Sequence, residues 1–122
     1  MTLNVQALRG ATTLEVDESE HLLERVEELL GEMITRNGLQ NGDLISILFT
    51  ATPDIHSVFP AVAARRMGYG DVPLMCAQEL EIAGAMPLCV RIMMHINTDR
   101  ARSDLRHVYL EQARSLRDDL PE

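Results

Sequence analysis

The sequence predicts an α+β domain in which a mixed β-sheet packs against one long amphipathic helix. The chain has 122 residues, of which 46% are apolar, and a chain of this size buries roughly two-thirds of its unfolded surface around one core. One segment, Glu18 to Arg36, has apolar residues at the three- and four-residue spacing of a helix. Several shorter apolar or alternating segments are typical of strands. We therefore expect a single domain over residues 1–122.

The helix is the clearest predicted element. Asp17 or Ser19 is the expected N-cap, and Asn37-Gly38 is a strong stop signal. Its glutamates fall outside the apolar face and indicate a solvated surface rather than a metal site. The apolar face consists of Leu22, Leu23, Val26, Leu29, Leu30, Met33 and Ile34.

Four strands and a short helical segment complete the prediction. The strands are Leu3 to Arg9, Leu44 to Ala51, Val72 to Ala77 and Pro87 to Asn97. Gly10-Ala11-Thr12-Thr13 is expected to break the first strand, and Pro73 favours a sheet edge for the third. The short helical segment runs from Pro60 to Met67. The tail from Ser103 to Leu116 fits either a helix or a turn followed by a short strand.

Several predicted strands are apolar on both faces, as in Leu44-Ile45-Ser46-Ile47-Leu48-Phe49. Such strands are buried from both sides, whereas one long helix covers only one face of a sheet. A second copy of the chain is the simplest cover for the other face. We therefore expect an oligomer with an extensive apolar interface.

Composition disfavours several classes of protein. The net charge of −8 has the wrong sign for a general nucleic-acid binder or a polybasic membrane binder. The longest apolar stretches, Leu44 to Ala51 and Ile82 to Val90, are far shorter than the ~20 residues that span a bilayer. The first residues lack the features of a signal peptide. Two cysteines and four scattered histidines form no metal-binding pattern, and no phosphate loop or dinucleotide fingerprint is present. We expect a cytoplasmic protein without metal or cofactor.

Arginine placement points to an anion site. All eleven basic residues are Arg, and eight of them fall in residues 62–122. Arg91 lies within an apolar strand, so we expect dry surroundings in which a guanidinium needs an anionic partner. That partner is either an internal carboxylate, Glu79 or Glu81, or a carboxylate, phosphate or developing oxyanion of a ligand. Arg9, at the end of the first predicted strand, favours the ligand interpretation because ligand sites commonly lie at such ends.

A thiol and a carboxylate follow each other closely in Cys76-Ala77-Gln78-Glu79. A nucleophilic Cys76 would need a base such as His95 or His107, and no Cys–His spacing signature is present, so an inert thiol is favoured. Glu79 fits a general base, an acceptor for a substrate hydroxyl, or the ion partner of Arg91. The residues alone thus predict an arginine-rich pocket without an evident nucleophile.

Five segments, in order, resemble the small monofunctional chorismate mutases of the trimeric bacterial α/β type. They are Arg9–Thr13, Ala51–Ala61, Cys76–Glu79, Cys89–Met94 and Arg106–Glu111. The resemblance implies a homotrimer in which the mixed sheets form a pseudo-α/β-barrel, with active sites between adjacent subunits. It also implies the Claisen-type rearrangement of chorismate to prephenate in aromatic amino acid biosynthesis.

The resemblance implies a role for each site residue. Arg91 donates to the ether oxygen of the substrate and also binds a carboxylate. Arg9 and Tyr109 bind a carboxylate. Glu79 and Cys76 contact the ring hydroxyl, with Glu79 acting as an orienting acceptor rather than a base.

The remaining substrate-binding residues implied by the resemblance are Phe59, Arg65, Leu74, Met75, Leu116 and Arg117. Phe59 would pack on the substrate from the neighbouring subunit, and Arg65 would lie at the mouth of the pocket. Val62 stands where family members often carry Lys, so Arg65 or Arg66 is the candidate for the missing positive charge.

Two other classes of function compete with this one. The first is a non-catalytic trimer that binds a small aromatic or dicarboxylate metabolite, and the second is an acidic structural protein. The joint presence of Arg91 and Glu79 favours the enzyme, because a simple carboxylate binder has less use for an acceptor opposite the arginine.

Overall fold

A computed structural model describes residues 2–117. One five-stranded mixed sheet, one long helix and one short helix form the structure, which confirms the predicted α+β class. The strands are β1 (Asn4–Thr13), β2 (Leu44–Ala51), β3 (Leu74–Gln78), β4 (Cys89–Thr98) and β5 (Val108–Tyr109); the helices are α1 (Ser19–Arg36) and α2 (Ala61–Arg66). Three 3₁₀ turns cover Asn41–Asp43, Arg102–Asp104 and Glu111–Leu116.

The strand order in the sheet is β3-β2-β4-β1-β5. The central strand β4 is antiparallel to both β1 and β2, whereas β3 is parallel to β2 and β5 is parallel to β1. The register places Arg91 of β4 between Ala11 of β1 and Thr50 of β2. As Pro73 suggested, β3 lies at an edge of the sheet.

The two faces of the sheet differ in how they are covered. One face, here called the helix face, packs against α1 and α2 and contains the main core. The predicted alternation of β4 is confirmed, because the buried residues Val90, Ile92, Met94 and Ile96 all belong to this core. The other face, here called the open face, carries Arg91, Met93 and His95, which are half-buried.

The first strand is longer than predicted. It continues through Gly10-Ala11-Thr12-Thr13, which pairs with β4 as far as the Thr13–Cys89 pair. Gly10 is required by packing, since a Cβ at this position would lie 2.6 Å from Sδ of the buried Met33. Arg9 therefore lies inside the strand, opposite Met93, and not at its end.

The start of α1 also differs from the prediction. Its N-cap is Glu18, whose Oε2 accepts a hydrogen bond from the backbone nitrogen of His21 at 2.7 Å. Asp17 instead accepts hydrogen bonds from the backbone nitrogens of His56 and Ser57. These contacts hold the loop before α2 against the start of α1. At the other end, the predicted stop is confirmed by Gly38, which has φ +61°.

The strands β3 and β4 each begin two residues later than predicted, because of local backbone contacts. The backbone nitrogen of Val72 donates to Tyr69 O, which places Val72 in the turn after α2. Leu88 has a left-handed backbone (φ 48°) and donates to Asp54 Oδ2, so β4 begins at Cys89.

In the tail, the alternative of a turn and a short strand is confirmed by β5, and the α-helix alternative is wrong. After β5, the chain forms the 3₁₀ turn Glu111–Leu116 across the open face. There it packs on Ala11 and Cys89 through Ala113 and Leu116. The rest of the open face has no helix over it among residues 2–117, and Val5 and Met75 are 63% and 66% exposed on it.

None of the helices within residues 2–117 is long and apolar enough to cross a membrane.

Candidate active site

A cavity of about 330 Å³ lies on the open face of the sheet. We call it the arginine cavity. Its polar lining is Arg9, Thr50, Arg91, Tyr109 and Arg117. Its apolar lining includes Ala11, Leu48, Met93 and Leu116. Five of the residues predicted from the sequence thus lie around one cavity: Arg9, Arg91, Tyr109, Leu116 and Arg117.

The sheet register explains why these residues meet. Arg9 pairs with Met93 and Ala11 pairs with Arg91, so the two arginines are diagonal neighbours on the same face of adjacent strands. The parallel pairing of β5 with β1 places Tyr109 beside Ala11. Residues from both ends of the sequence therefore line the same cavity.

Arg91 is paired with Glu79, and the other candidate partner, Glu81, is exposed. Nε of Arg91 lies 3.1 Å from Oε2 and 3.3 Å from Oε1 of Glu79. This is the only hydrogen-bonded contact of the guanidinium with residues 2–117, so its two terminal nitrogens remain available to a ligand. The side chain of Arg91 is 42% exposed in the single chain, so the dry surroundings expected for it require cover by a second subunit and stay a prediction. Within residues 2–117, no α-helix covers the open face beside it.

Thr50 is a site residue that the sequence analysis missed. Its Oγ1 donates to Oε2 of Glu79 at 2.6 Å, and the backbone nitrogen of Glu79 donates to Ala51 O at 2.9 Å. The carboxylate of Glu79 is thus held by a hydroxyl on β2 and a guanidinium on β4. A polar residue in the apolar segment Leu44–Ala51 was the available signal.

Arg9 is held through its backbone. Its backbone nitrogen donates to Nδ1 of His107 at 2.9 Å, while its guanidinium forms no ion pair or hydrogen bond with residues 2–117. Partial burial lowers the pKa of His107, and the positive charges of Arg9 and Arg117 lower it further. Within residues 2–117, no side chain competes with an anion for the guanidinium of Arg9.

Phe59 and Cys76 line a different cavity, of about 460 Å³. Cys76 pairs with the fully buried Phe49 across β2 and β3, so its side chain lies on the helix face. Phe59 follows β2 in the loop before α2 and is 70% exposed. One chain alone does not bring these two residues to the arginine cavity.

Four predicted residues line neither cavity: Glu79, which is paired with Arg91, and Leu74, Met75 and Arg65. Leu74 packs against the core of the helix face, and Met75 is exposed on the open face. Arg65 is exposed on α2 and forms no ion pair with a described residue.

The comparisons with known proteins identify the family. The family model "Chorismate mutase type I" matches residues 5–120. The chain belongs to the type I chorismate mutase family.

Individual relatives agree with this assignment. The chain is 42% identical over 117 residues to chorismate mutase AroH of Bacillus subtilis (strain 168), covering 95% of this chain and 92% of the relative. It is also 42% identical over 117 residues to chorismate mutase AroH of Thermus thermophilus, covering 95% of this chain and 96% of the relative. A solved chorismate mutase from Clostridium thermocellum superposes with a TM-score of 0.89 at 44% identity. It covers 90% of this chain and 98% of its own.

Arg65 and Arg66 of α2, the two candidates for the positive charge that Val62 lacks, differ in their ion partners. Arg66 is ion-paired with Glu20 and Glu27 of α1 at 3.0 and 3.1 Å, and hydrogen bonding to Glu20 raises its pKa. Arg65 has no such partner among residues 2–117.

The cysteines offer no activated nucleophile in the described part of the chain. Both are free, and Cys76 forms no hydrogen bond with a described histidine. Burial raises the pKa of the Cys89 thiol to about 11, which keeps it protonated at neutral pH. Among residues 2–117, no group of His, Cys, Asp and Glu side chains could hold a metal ion.

Proposed function

We propose that this protein is a chorismate mutase that converts chorismate to prephenate. The observation that carries the proposal is the ion pair of Glu79 with Arg91, which lines the arginine cavity of a type I family member. This pair fixes the guanidinium through Nε and leaves the terminal nitrogens without partners among residues 2–117.

The reaction requires little covalent chemistry from a protein. In a [3,3] rearrangement the C–O bond of the substrate breaks while a new C–C bond forms, and no proton or nucleophile is needed. Negative charge grows on the ether oxygen as the C–O bond lengthens. We assign Arg91 as the donor to that oxygen, because a preorganised donor aimed at developing charge is typically the largest single contribution to catalysis.

The other residues of the arginine cavity would hold the substrate in its reactive conformer. Arg9 supplies a guanidinium without an internal partner among the described residues, and Tyr109 supplies a hydroxyl beside it. Both suit a substrate carboxylate. Glu79 would accept a hydrogen bond from the ring hydroxyl and would not act as a base. Such positioning converts a flexible reactant into a near-attack conformer.

We infer that the active site is shared between subunits of a homotrimer. The residues implied by the family resemblance fall into two sets on opposite faces of the sheet, one around Arg91 and one around Phe59 and Cys76. Exposed apolar side chains on the open face, including Val5 and Met75, support burial of this face against another copy. In the proposed trimer, the sheets form a pseudo-α/β-barrel and Phe59 of one subunit approaches Arg91 of the next.

We further infer that residues 1–122 form one domain that works in the cytoplasm. The pairing of β1 with strands of the C-terminal half supports a single folding unit. Resemblance to bacterial biosynthetic enzymes supports the location.

The first experiment mixes the purified protein with chorismate and follows the loss of chorismate and the appearance of prephenate. We expect turnover by the wild type and a large loss in Arg91→Ala. Binding of chorismate without conversion would overturn the proposal and favour a metabolite-binding module.

A mixing experiment tests the shared site. Arg91→Ala and Phe59→Ala each disable a different half of the proposed site. When the two variants are refolded together and their subunits assort at random, up to about a quarter of the interfaces combine two intact halves and regain a complete site. The matched control mixes Arg91→Ala with Arg9→Ala, which alter the same half and should not complement. Equal behaviour of the two mixtures, or sedimentation as a stable monomer at micromolar concentration, would contradict the shared site.

A further inference from the structure

His107 connects the two strands that carry the carboxylate-binding residues of the arginine cavity. Its Nδ1 accepts a hydrogen bond from the backbone nitrogen of Arg9 at 2.9 Å. The next residue, Val108, begins the short parallel pairing of β5 with β1. The imidazole thus extends that two-residue pairing by one further hydrogen bond, between residues 98 positions apart in sequence.

This bond defines the protonation state of the ring. An Nδ1 that accepts from an N–H is unprotonated, so the neutral ring carries its proton on Nε2. Protonation at Nδ1 would place two N–H groups against each other and break the bond to Arg9.

The surroundings of the ring favour the neutral form. His107 borders a second cavity on the open face, of about 470 Å³, whose lining includes Arg9 of β1, His95 of β4 and Arg102. None of the described residues that line it carries a carboxylate. The charges of Arg9 and of Arg117 in the tail act on the ring together with its burial, and all three lower the pKa of His107. No acidic residue within 2–117 contributes to this shift.

The segment that carries His107 is anchored separately from the other side. The side chain of Asn37, at the end of α1, accepts from the backbone nitrogen of Arg106 and donates to Arg106 O, both at 2.8 Å. The position of His107 is therefore fixed independently of β1. The hydrogen bond from Arg9 N to His107 Nδ1 then holds the backbone of β1 at Arg9 in place relative to His107.

We propose that His107 is a positioning residue, whose unprotonated Nδ1 fixes the backbone of Arg9 relative to Tyr109 and so sets the geometry with which both bind a substrate carboxylate. The assignment rests on the proposed chorismate mutase function. His107 itself is not expected to touch the substrate.

The first test needs no substrate. Long-range ¹H–¹⁵N NMR of the wild-type protein should show His107 with a protonated Nε2 and an unprotonated Nδ1. The backbone amide of Arg9 should shift with the same midpoint as the imidazole when the pH is lowered. A ring protonated at Nδ1 near neutral pH, or an Arg9 amide that does not follow its titration, would overturn the proposal whether or not the protein has mutase activity.

The second test compares two isosteres. In His107→Asn the amide Oδ1 takes the place of Nδ1 and keeps the acceptor, whereas in His107→Gln the acceptor is one bond further out. We expect the Gln variant to raise KM for chorismate about tenfold, as for loss of one hydrogen bond, with a smaller change in kcat. The KM of the Asn variant should lie within about threefold of the wild-type value.

The pH profile separates positioning from a merely structural role. The KM of the wild type should rise as the pH falls through the titration of His107, and the Asn variant should lack this component. His95→Asn is the matched control, since His95 borders the same cavity but its Nδ1 lies near Ser46 Oγ, at 3.3 Å; it should retain the wild-type profile. Identical KM values and pH profiles for the Asn and Gln variants would overturn the proposal, while absence of turnover in the wild type would instead refute the proposed function.

Discussion

Oγ1 of Thr50 and Oε2 of Glu79 lie 2.6 Å apart, and the same carboxylate pairs with Nε of Arg91. These contacts join β2, β4 and the residue that follows β3. Glu79 therefore orients Arg91 from a fixed position. The arrangement suits a donor that has to meet charge at one defined oxygen, because preorganised groups do not reorganise during the reaction.

Loss of Arg91 should abolish most of the activity. We expect Arg91→Ala to lower kcat by at least ~10³, as for removal of an oxyanion-type donor. Arg91→Lys should recover little, because an ammonium cannot pair with Glu79 and also present two further nitrogens in one plane. Steady-state kinetics with chorismate measures both effects, and full activity in the Lys variant would refute the proposed role of the planar group.

Removing the hydroxyl of Thr50 should weaken catalysis without unfolding the protein. Thr50→Val keeps the shape of the side chain but loses the hydrogen bond to Glu79, and we expect kcat/KM to fall about tenfold. Thr50→Ser keeps the hydroxyl and is the matched control. If Val and Ser variants show the same kcat/KM and the same melting temperature, Thr50 does not position Glu79.

Cys76 should be dispensable for the chemical step. The thiol has no histidine partner among residues 2–117, and the proposed rearrangement has no covalent intermediate. We therefore expect Cys76→Ser to retain substantial turnover. Complete inactivity of this variant, with an unchanged circular dichroism spectrum, would revive covalent catalysis.

Replacing Gly10 and Gly31 by alanine should change the free energy of unfolding in opposite directions. In Gly10→Ala the new Cβ collides with the buried Met33, and we expect the free energy of unfolding to fall by about 1–3 kcal/mol. In Gly31→Ala, within α1, the nearest described atom is Met67 Cε at 3.9 Å, so the better helix propensity should raise stability by roughly 0.5–1 kcal/mol. Urea denaturation measures both changes, and equal shifts would show that Gly10 is not packed as described.

Stability should fall as the solution becomes acidic, in part because of His107. Its pKa in the folded protein is lowered below the ordinary value of 6.5, so the unfolded chain binds the proton more readily. The contribution of the neutral ring is complete above pH 6.5 and is lost as the pH falls from there through the folded-state pKa. The free energy of unfolding of the wild type should therefore decrease more, as the pH is lowered below 6.5, than that of His107→Asn. Parallel pH dependences of the two proteins would contradict this.

Local sequence patterns were sufficient to predict the bounds of α1 and β2. The apolar spacing and stop signal located α1 to within one residue, and β2 has the predicted bounds. The continuation of β1 was not predicted because Gly10 and the two threonines after it weaken the local strand signal. It forms because β4 and β5 both pair with this segment, and pairing between distant strands cannot be read from either segment alone.

The same distinction applies to the site. Arg91 could be selected as a guanidinium that is costly to bury without a partner, and Glu79 as its candidate partner. Arg9 was selected by its expected place at a strand end, although it lies inside β1, and the family resemblance added Tyr109 and Leu116. The hydrogen bonds of Thr50 to Glu79 and of Arg9 to His107 depend on strand register and loop path. The 42% exposure of the Arg91 side chain in a single chain could not be predicted, because an apolar sequence around a residue does not say which face of the sheet its own chain covers.

The position of β1 in the sheet has a consequence for biosynthesis. Both of its neighbours, β4 and β5, are translated long after it. The first strand therefore has no strand to pair with until β4, Cys89–Thr98, has been translated. We expect nascent chains that stop just before residue 108 to leave the edge of β1 that pairs with β5 without a partner. Such chains also lack Tyr109, Leu116 and Arg117 of the arginine cavity, and we expect rapid proteolysis of them.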